Sequence, residues 1–131
     1  MGWTFYNSSG QILTTTDTPL RVSTEASSAT PTINTDLVEA HSITELAVAI
    51  TSMTTNLSPV PGSGSTPVNF QKLIVRFLDN GTNRAISWGA SFSSKGGTLP
   101  TTTAASKLLT VGLIYNTATS DWECVASVEQ A

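Results

Sequence analysis

Charge is what this sequence has least of. Only 11% of its 131 residues are Asp, Glu, Lys or Arg, against about a quarter in an ordinary globular chain. The formal net charge is −3. Six Lys and Arg, scattered singly, form no basic stripe, which argues against nucleic-acid binding by phosphate neutralisation. A single cysteine, Cys124, leaves no internal disulfide framework and no Cys-rich zinc site. The apolar runs are far too short to span a bilayer, and no charged start followed by an apolar stretch reads as a signal peptide. Hydroxyl groups stand in for the missing charge: the chain holds 22 Thr and 17 Ser, with 39% hydrophobic residues. One ordinary core is the natural expectation at this length. Composition leaves a small, β-rich binding or structural module.

Thr and Val are abundant and long helix formers few, which favours strands because β-branched side chains suit a half-buried pleated surface. The turn cluster Asn7-Ser8-Ser9-Gly10 separates Trp3–Tyr6 from Gln11–Thr15 and predicts an N-terminal hairpin. Thr16–Pro31 is polar with one short apolar element, Leu20–Val22, and reads as an extended segment. Leu37–Met53 carries both helical spacing and the alternation of Leu46, Val48 and Ile50; the surrounding Thr residues favour two short strands with a kink. Ser58–Pro67 is a loop by composition, with Pro61, Gly62, Ser63 and Gly64 as its candidate exposed tip. Lys72–Leu78 is apolar at both alternations, as for a central strand between two layers. Asp79-Asn80-Gly81 predicts a tight hairpin into Arg84–Trp88. Leu108–Tyr115 and Trp122–Val128 form a second hairpin, with Trp122, Cys124, Ala126 and Val128 on one face. The predicted architecture is an all-β antiparallel sandwich or jelly roll over 32–131, preceded by a hairpin and extended attachment segment over 1–31.

Chemistry-bearing residues are sparse. His41 is the only histidine, with Glu39 and Glu45 near it in sequence, and reads as a surface or interface residue rather than a catalytic base. Cys124 lies mid-strand and reads as a small core hydrophobe. Asp79 and Asp121 fall at turns, where a carboxylate caps backbone amides. Glu123 and Glu129 are the nearest to a facing carboxylate pair that a glycan-processing enzyme needs. No catalytic residue, cofactor or metal site is expected. Trp88, Phe70, Phe77, Phe92 and Tyr115 read as core. Trp3, Phe5 and Tyr6 crowd the start of the chain, Trp3 and Phe5 alternating to one face and Tyr6 to the other. They are the candidate attachment residues, because a strand at a chain end with this much apolar surface needs something to cover it, either the protein's own core or a neighbouring subunit.

The run Gln71-Lys72-Leu73-Ile74-Val75-Arg76-Phe77-Leu78-Asp79-Asn80-Gly81-Thr82-Asn83-Arg84-Ala85-Ile86-Ser87-Trp88 resembles a pattern that recurs in structural proteins of tailed bacteriophages. Leu99-Pro100-Thr101-Thr102-Thr103, Gly112–Asn116 and Asp121-Trp122 continue it, and Trp3–Gln11 is similar to a common start of small virion and fibre proteins. The sequence departs from the pattern at Asn69-Phe70, where a polar residue and a glycine are usual, and in the Gly-, Ser- and Pro-rich loop Ser58–Pro67. The resemblance implies a compact β-sandwich, commonly a homotrimer, located in the virion. The first expectation is a capsid decoration protein, cement or head-fibre-like, bound to the major capsid protein or another virion protein. Length favours it, since a fibre subunit usually needs a shaft and this chain begins at Met1 without one. The alternative is a tail-fibre tip or baseplate component that binds host surface glycan through its loops.

Overall fold

A computed structural model describes the backbone of residues 3–6, 12–15, 20–55 and 67–131, and the side chains of the last two ranges. The strands are β1 (Trp3–Tyr6), β2 (Ile12–Thr15), β3 (Val22–Glu25), β4 (Thr32–Ile33), β5 (Ala40–Leu46), β6 (Ile50–Thr55), β7 (Lys72–Asp79), β8 (Ile86–Trp88), β9 (Phe92–Ser93), β10 (Leu109–Asn116) and β11 (Asp121–Glu129). No helix occurs among the described residues. β1 and β2 pair antiparallel, Phe5 with Leu13 and Tyr6 with Ile12, as the turn cluster predicts. The Leu37–Met53 region resolves into β5 and β6, two strands with a break at 47–49.

The remaining strands form a six-stranded sheet, in the order β3-β5-β7-β10-β11-β9, and a three-stranded sheet, β4-β6-β8. From β3 to β9 the chain changes sheet at every step. Strands that follow one another in the same sheet are therefore parallel: β3 with β5, β5 with β7, β4 with β6 and β6 with β8. Parallel neighbours need a crossover, and here a strand of the opposite sheet supplies it in place of a helix. β9 also pairs parallel with β11. The expectation of antiparallel pairing holds for β1–β2, β7–β10 and β10–β11 alone. The hairpin expected at Asp79-Asn80-Gly81 does not form, because β7 and β8 belong to different sheets. Of the Asn-Gly pair only Gly81 takes a positive φ, 97°, whereas a two-residue hairpin turn requires both positions to do so.

Both sheets turn their apolar alternation onto one core. Ile33, Ile50, Met53 and Ile86 come from the smaller sheet; Ile43, Leu73, Val75, Phe77, Val111, Leu113 and Trp122 come from the larger. Trp122 lies fully buried, and its indole N–H donates to Thr55 Oγ1 at 3.0 Å, tying β11 to β6 across the core. β7 is central in its sheet, but only one of its faces is buried: Leu73, Val75, Phe77 and Asp79 point in, while Lys72, Ile74 and Arg76 are exposed. On β11 the alternation breaks. A bulge opposite Gly112/Leu113 inserts Val125, so Trp122 and Cys124 are buried while Ala126 and Val128 are exposed. One extra residue shifts every later side chain to the other face.

The segment expected to be extended, 16–31, contains β3, the edge strand of the larger sheet, which pairs with β5.

Candidate functional site

Because β3, β5 and β7 are parallel, their first residues share one end of the sheet and their last residues the other. The register runs Val22–Ala40–Ile74–Gly112 near the first end and Glu25–Ile43–Phe77–Leu109 near the second. The two ends differ in chemistry.

The second end is closed by a polar knot. Asp79, at the end of β7, is only 4% exposed. One of its oxygens accepts from the Gly81 and Ser106 amides at 3.0 and 2.8 Å, and the other accepts from the Thr103 hydroxyl at 2.6 Å. The Thr103 oxygen in turn accepts from the Arg84 amide at 2.9 Å, and Arg84 reaches back to the Asn80 side chain. Burial by itself pushes the Asp79 carboxyl up; the Thr103 hydroxyl, the two amides and the Arg84 charge outweigh it and hold the group below the usual carboxylate range. The Asp-Asn-Gly-Thr-x-Arg-Ala residues and the Thr run are thus spent on joining β7, the crossing to β8 and the loop before β10. Trp88 is spent likewise. Its N–H donates to the Pro100 carbonyl at 2.7 Å, and its ring meets Phe77 and Phe92 edge-on at 5.8 and 4.9 Å.

His41, on β5, is buried between two side chains of the neighbouring edge strand. Its Nδ1 lies 2.7 Å from Ser23 Oγ and its Nε2 lies 2.9 Å from Glu25 Oε1. The sequence neighbours Glu39 and Glu45 are not its partners: Glu39 pairs with Arg21, which holds its carboxyl below the usual range through their hydrogen bonds. Ser23 and Glu25 escaped sequence reasoning because an 18-residue parallel register brings them to His41. A serine, a histidine and a carboxylate in contact have the composition of a nucleophile relay, but the order is reversed. In the serine proteases the hydroxyl sits on Nε2 and the carboxylate on Nδ1. Here the cluster fastens β3 to β5. Cys124 is buried, which pushes its thiol up and away from nucleophile chemistry. Glu123 and Glu129 face no common groove: the first accepts from Asn116 Nδ2 and the second from the Ala104 amide. Among the described residues no group of three or more His, Cys, Asp or Glu is placed to hold a metal ion.

The first end exposes apolar side chains. β3 begins here after Leu20 and Arg21, and β7 begins here after Val68–Gln71. Phe70, expected in the core, is 75% exposed, and Val68 is 66% exposed. Phe70 also takes a φ of 69°, a left-handed conformation that costs a bulky residue and suits glycine. Arg21, Thr35, Asp36, Glu39 and Lys72 surround Phe70 and Val68.

Beside this end, the outer face of the larger sheet carries an apolar row across its strands, from Val22 through Ala40, Ile74 and Gly112 to Ala126. A groove of about 370 Å³ runs along it, lined by Leu20, Val22, Ala40, Ile74 and Arg76 among others. The side chains of Trp3, Phe5 and Tyr6, and the whole of Pro61, Gly62, Ser63 and Gly64, lie outside the described residues.

No protein-family model matches the chain, and no curated protein matches it.

Proposed function

We propose that this protein is a non-enzymatic structural component of a tailed-phage virion, a capsid decoration protein that binds the particle surface as a homotrimer. The two sheets around one core support reading the body as a β-sandwich. The observation that carries the proposal is the asymmetry of the two ends. At one end Asp79, Thr103 and Trp88 are taken up in bonds that hold the fold, while the apolar side chains of Val68 and Phe70 are presented at the other. That is the economy of an adhesive module: a rigid body with its contact residues gathered where the chain enters. Trp3, Phe5 and Tyr6 are the proposed particle contacts, with the major capsid protein or another virion protein as partner. The hydroxyl-rich, weakly acidic surface keeps such a protein soluble without recruiting nucleic acid.

The alternative, a tail-fibre tip or baseplate component binding host glycan, draws less support. Trp88, the candidate sugar platform, has its N–H bonded and its ring packed on two phenylalanines. Binding to purified capsids tests the proposal. The Trp3→Ser, Phe5→Ser, Tyr6→Ser triple variant is expected to lose saturable binding while keeping the unmodified protein's circular dichroism. Undiminished capsid binding removes the attachment role. Density at the tail tip of whole virions, with none on the capsid lattice, overturns the decoration reading in favour of the alternative.

A further inference from the structure

Asn80-Gly81 is the one Asn-Gly pair in the chain, and the fold does not use it for the hairpin turn that the pair predicts. Both residues are exposed. Asparagine before glycine carries a reaction of its own, because a glycine nitrogen has no neighbouring Cβ to hinder its attack on the preceding side-chain amide. The Gly81 nitrogen bonds to Asn80 Cγ, the Cγ–Nδ2 bond breaks, and the Gly81 amide proton leaves with Nδ2 as ammonia. Water then opens the resulting cyclic imide at either carbonyl. One opening gives aspartate. The other gives isoaspartate, whose main chain runs through the former side chain.

Both reacting groups are held here. The Gly81 N–H donates to Asp79 Oδ1 at 3.0 Å, and the attack requires that proton to be lost. A negative nitrogen beside the buried Asp79 carboxylate is disfavoured by like charge. The Asn80 carbonyl oxygen accepts from Arg84 Nη2 at 3.0 Å, which fixes the amide toward residue 84. The Asn80 N–H donates to the Leu46 carbonyl at 3.2 Å, so the backbone rotation that brings the Gly81 nitrogen to Cγ is restrained as well. Arg84 also polarises the carbonyl it holds, but polarisation helps only when the two atoms can meet.

We propose that Asn80-Gly81 is a latent self-modification site, kept intact by the knot of Asp79, Thr103 and Arg84 and converted to aspartate and isoaspartate from the state in which that knot is open. Conversion then weakens the knot. Isoaspartate lengthens the backbone between Asp79 and Gly81 and displaces the Gly81 N–H from its acceptor. Aspartate sets a second carboxylate beside Asp79. The protein therefore ages irreversibly at the crossing from β7 to β8. This chemistry is internal to the chain and does not depend on the particle contact.

Peptide mapping by mass spectrometry, on the full chain incubated at mildly alkaline pH, reads the conversion. The folded protein is expected to convert about 100-fold or more slowly than the same chain in guanidinium chloride, because the reaction waits on local opening. Arg84→Met frees the Asn80 amide and keeps the residue-84 N–H on Thr103. It also removes a guanidinium Nε that is buried without a hydrogen-bond partner among the described residues. This variant, folded by circular dichroism, is expected to convert about 10-fold faster than the parent, and Thr103→Val by a similar factor. Converted protein, separated by its added negative charge, is expected to unfold at lower urea than unconverted protein. Asn80→Gln, whose longer side chain cannot close the same ring, is expected to age without that loss. A folded parent that converts as fast as the unfolded chain, or faster, overturns the proposal. So does a folded Arg84→Met or Thr103→Val that converts no faster than the parent.

Discussion

Replacing Thr103 with valine removes one hydroxyl and keeps the shape, and the knot at Asp79 makes the consequence calculable. The hydroxyl donates to Asp79 at 2.6 Å and accepts from the Arg84 amide at 2.9 Å. A hydrogen bond to a charged group contributes about 1.5–3 kcal/mol, and an orphaned buried donor costs about 1–3 kcal/mol. The second loss is partly offset by the gain of a buried methyl, so the expected deficit is about 3 kcal/mol at neutral pH. With a urea dependence near 2 kcal/mol per molar, the midpoint falls by roughly 1.5 M. Tryptophan fluorescence reads it, since Trp88 and Trp122 both pack against the core. Thr103→Ser should recover most of the loss.

The pH dependence supplies a second check. Asp79 has a lowered folded pKa, so its stabilising contribution is present in full above the unfolded carboxylate value, about 3.9. It is lost as pH falls through the folded value. The deficit of Thr103→Val should therefore shrink as pH drops from about 4 to about 2. A variant within about 0.5 kcal/mol of the parent at pH 7 would refute the reasoning, because that is the scatter of neutral surface changes. So would a deficit that persists unchanged in acid.

Four further outcomes follow from the packing. Gly89→Ala places a Cβ 2.2 Å from the Met53 carbonyl oxygen, which the backbone must yield to; a loss of about 1–3 kcal/mol is expected in urea unfolding. Gly112→Ala makes ordinary contacts alone, Val125 Cγ2 at 3.6 Å and the Ala126 carbonyl oxygen at 3.9 Å, and should raise stability by about 0.5 kcal/mol by restricting the unfolded chain. Trp122→Phe loses the Thr55 bond between the sheets and leaves a void, for about 2–4 kcal/mol in the same assay. Cys124 should resist a thiol reagent at pH 8 in the folded protein and react fully in denaturant, measured by absorbance of the released chromophore.

Local pattern carried the sequence reading a long way. Turn residues and alternation located β1, β2, β5, β6, β7, β10 and β11, both antiparallel hairpins, and the burial of Phe77, Phe92, Tyr115, Trp122 and Cys124. These are properties of neighbours along the chain, and pleat and turn geometry are set there. The capping role of Asp79 was legible for the same reason, because Gly81 stands two residues away.

Pairing between distant segments was not legible. Which strand lies beside which depends on how the two apolar faces close on one core, and that closure makes the chain alternate between sheets and the neighbours parallel. His41 therefore gained Ser23 and Glu25 as partners instead of Glu39 and Glu45, and Thr103 came to hold Asp79 from 24 residues away. A one-residue bulge at Val125 turned Ala126 and Val128 outward, a shift no alternation count foresees. Phe70 looked like core by residue type. Only the tertiary structure, by bending the entry to β7 through a left-handed residue, put its ring in solvent.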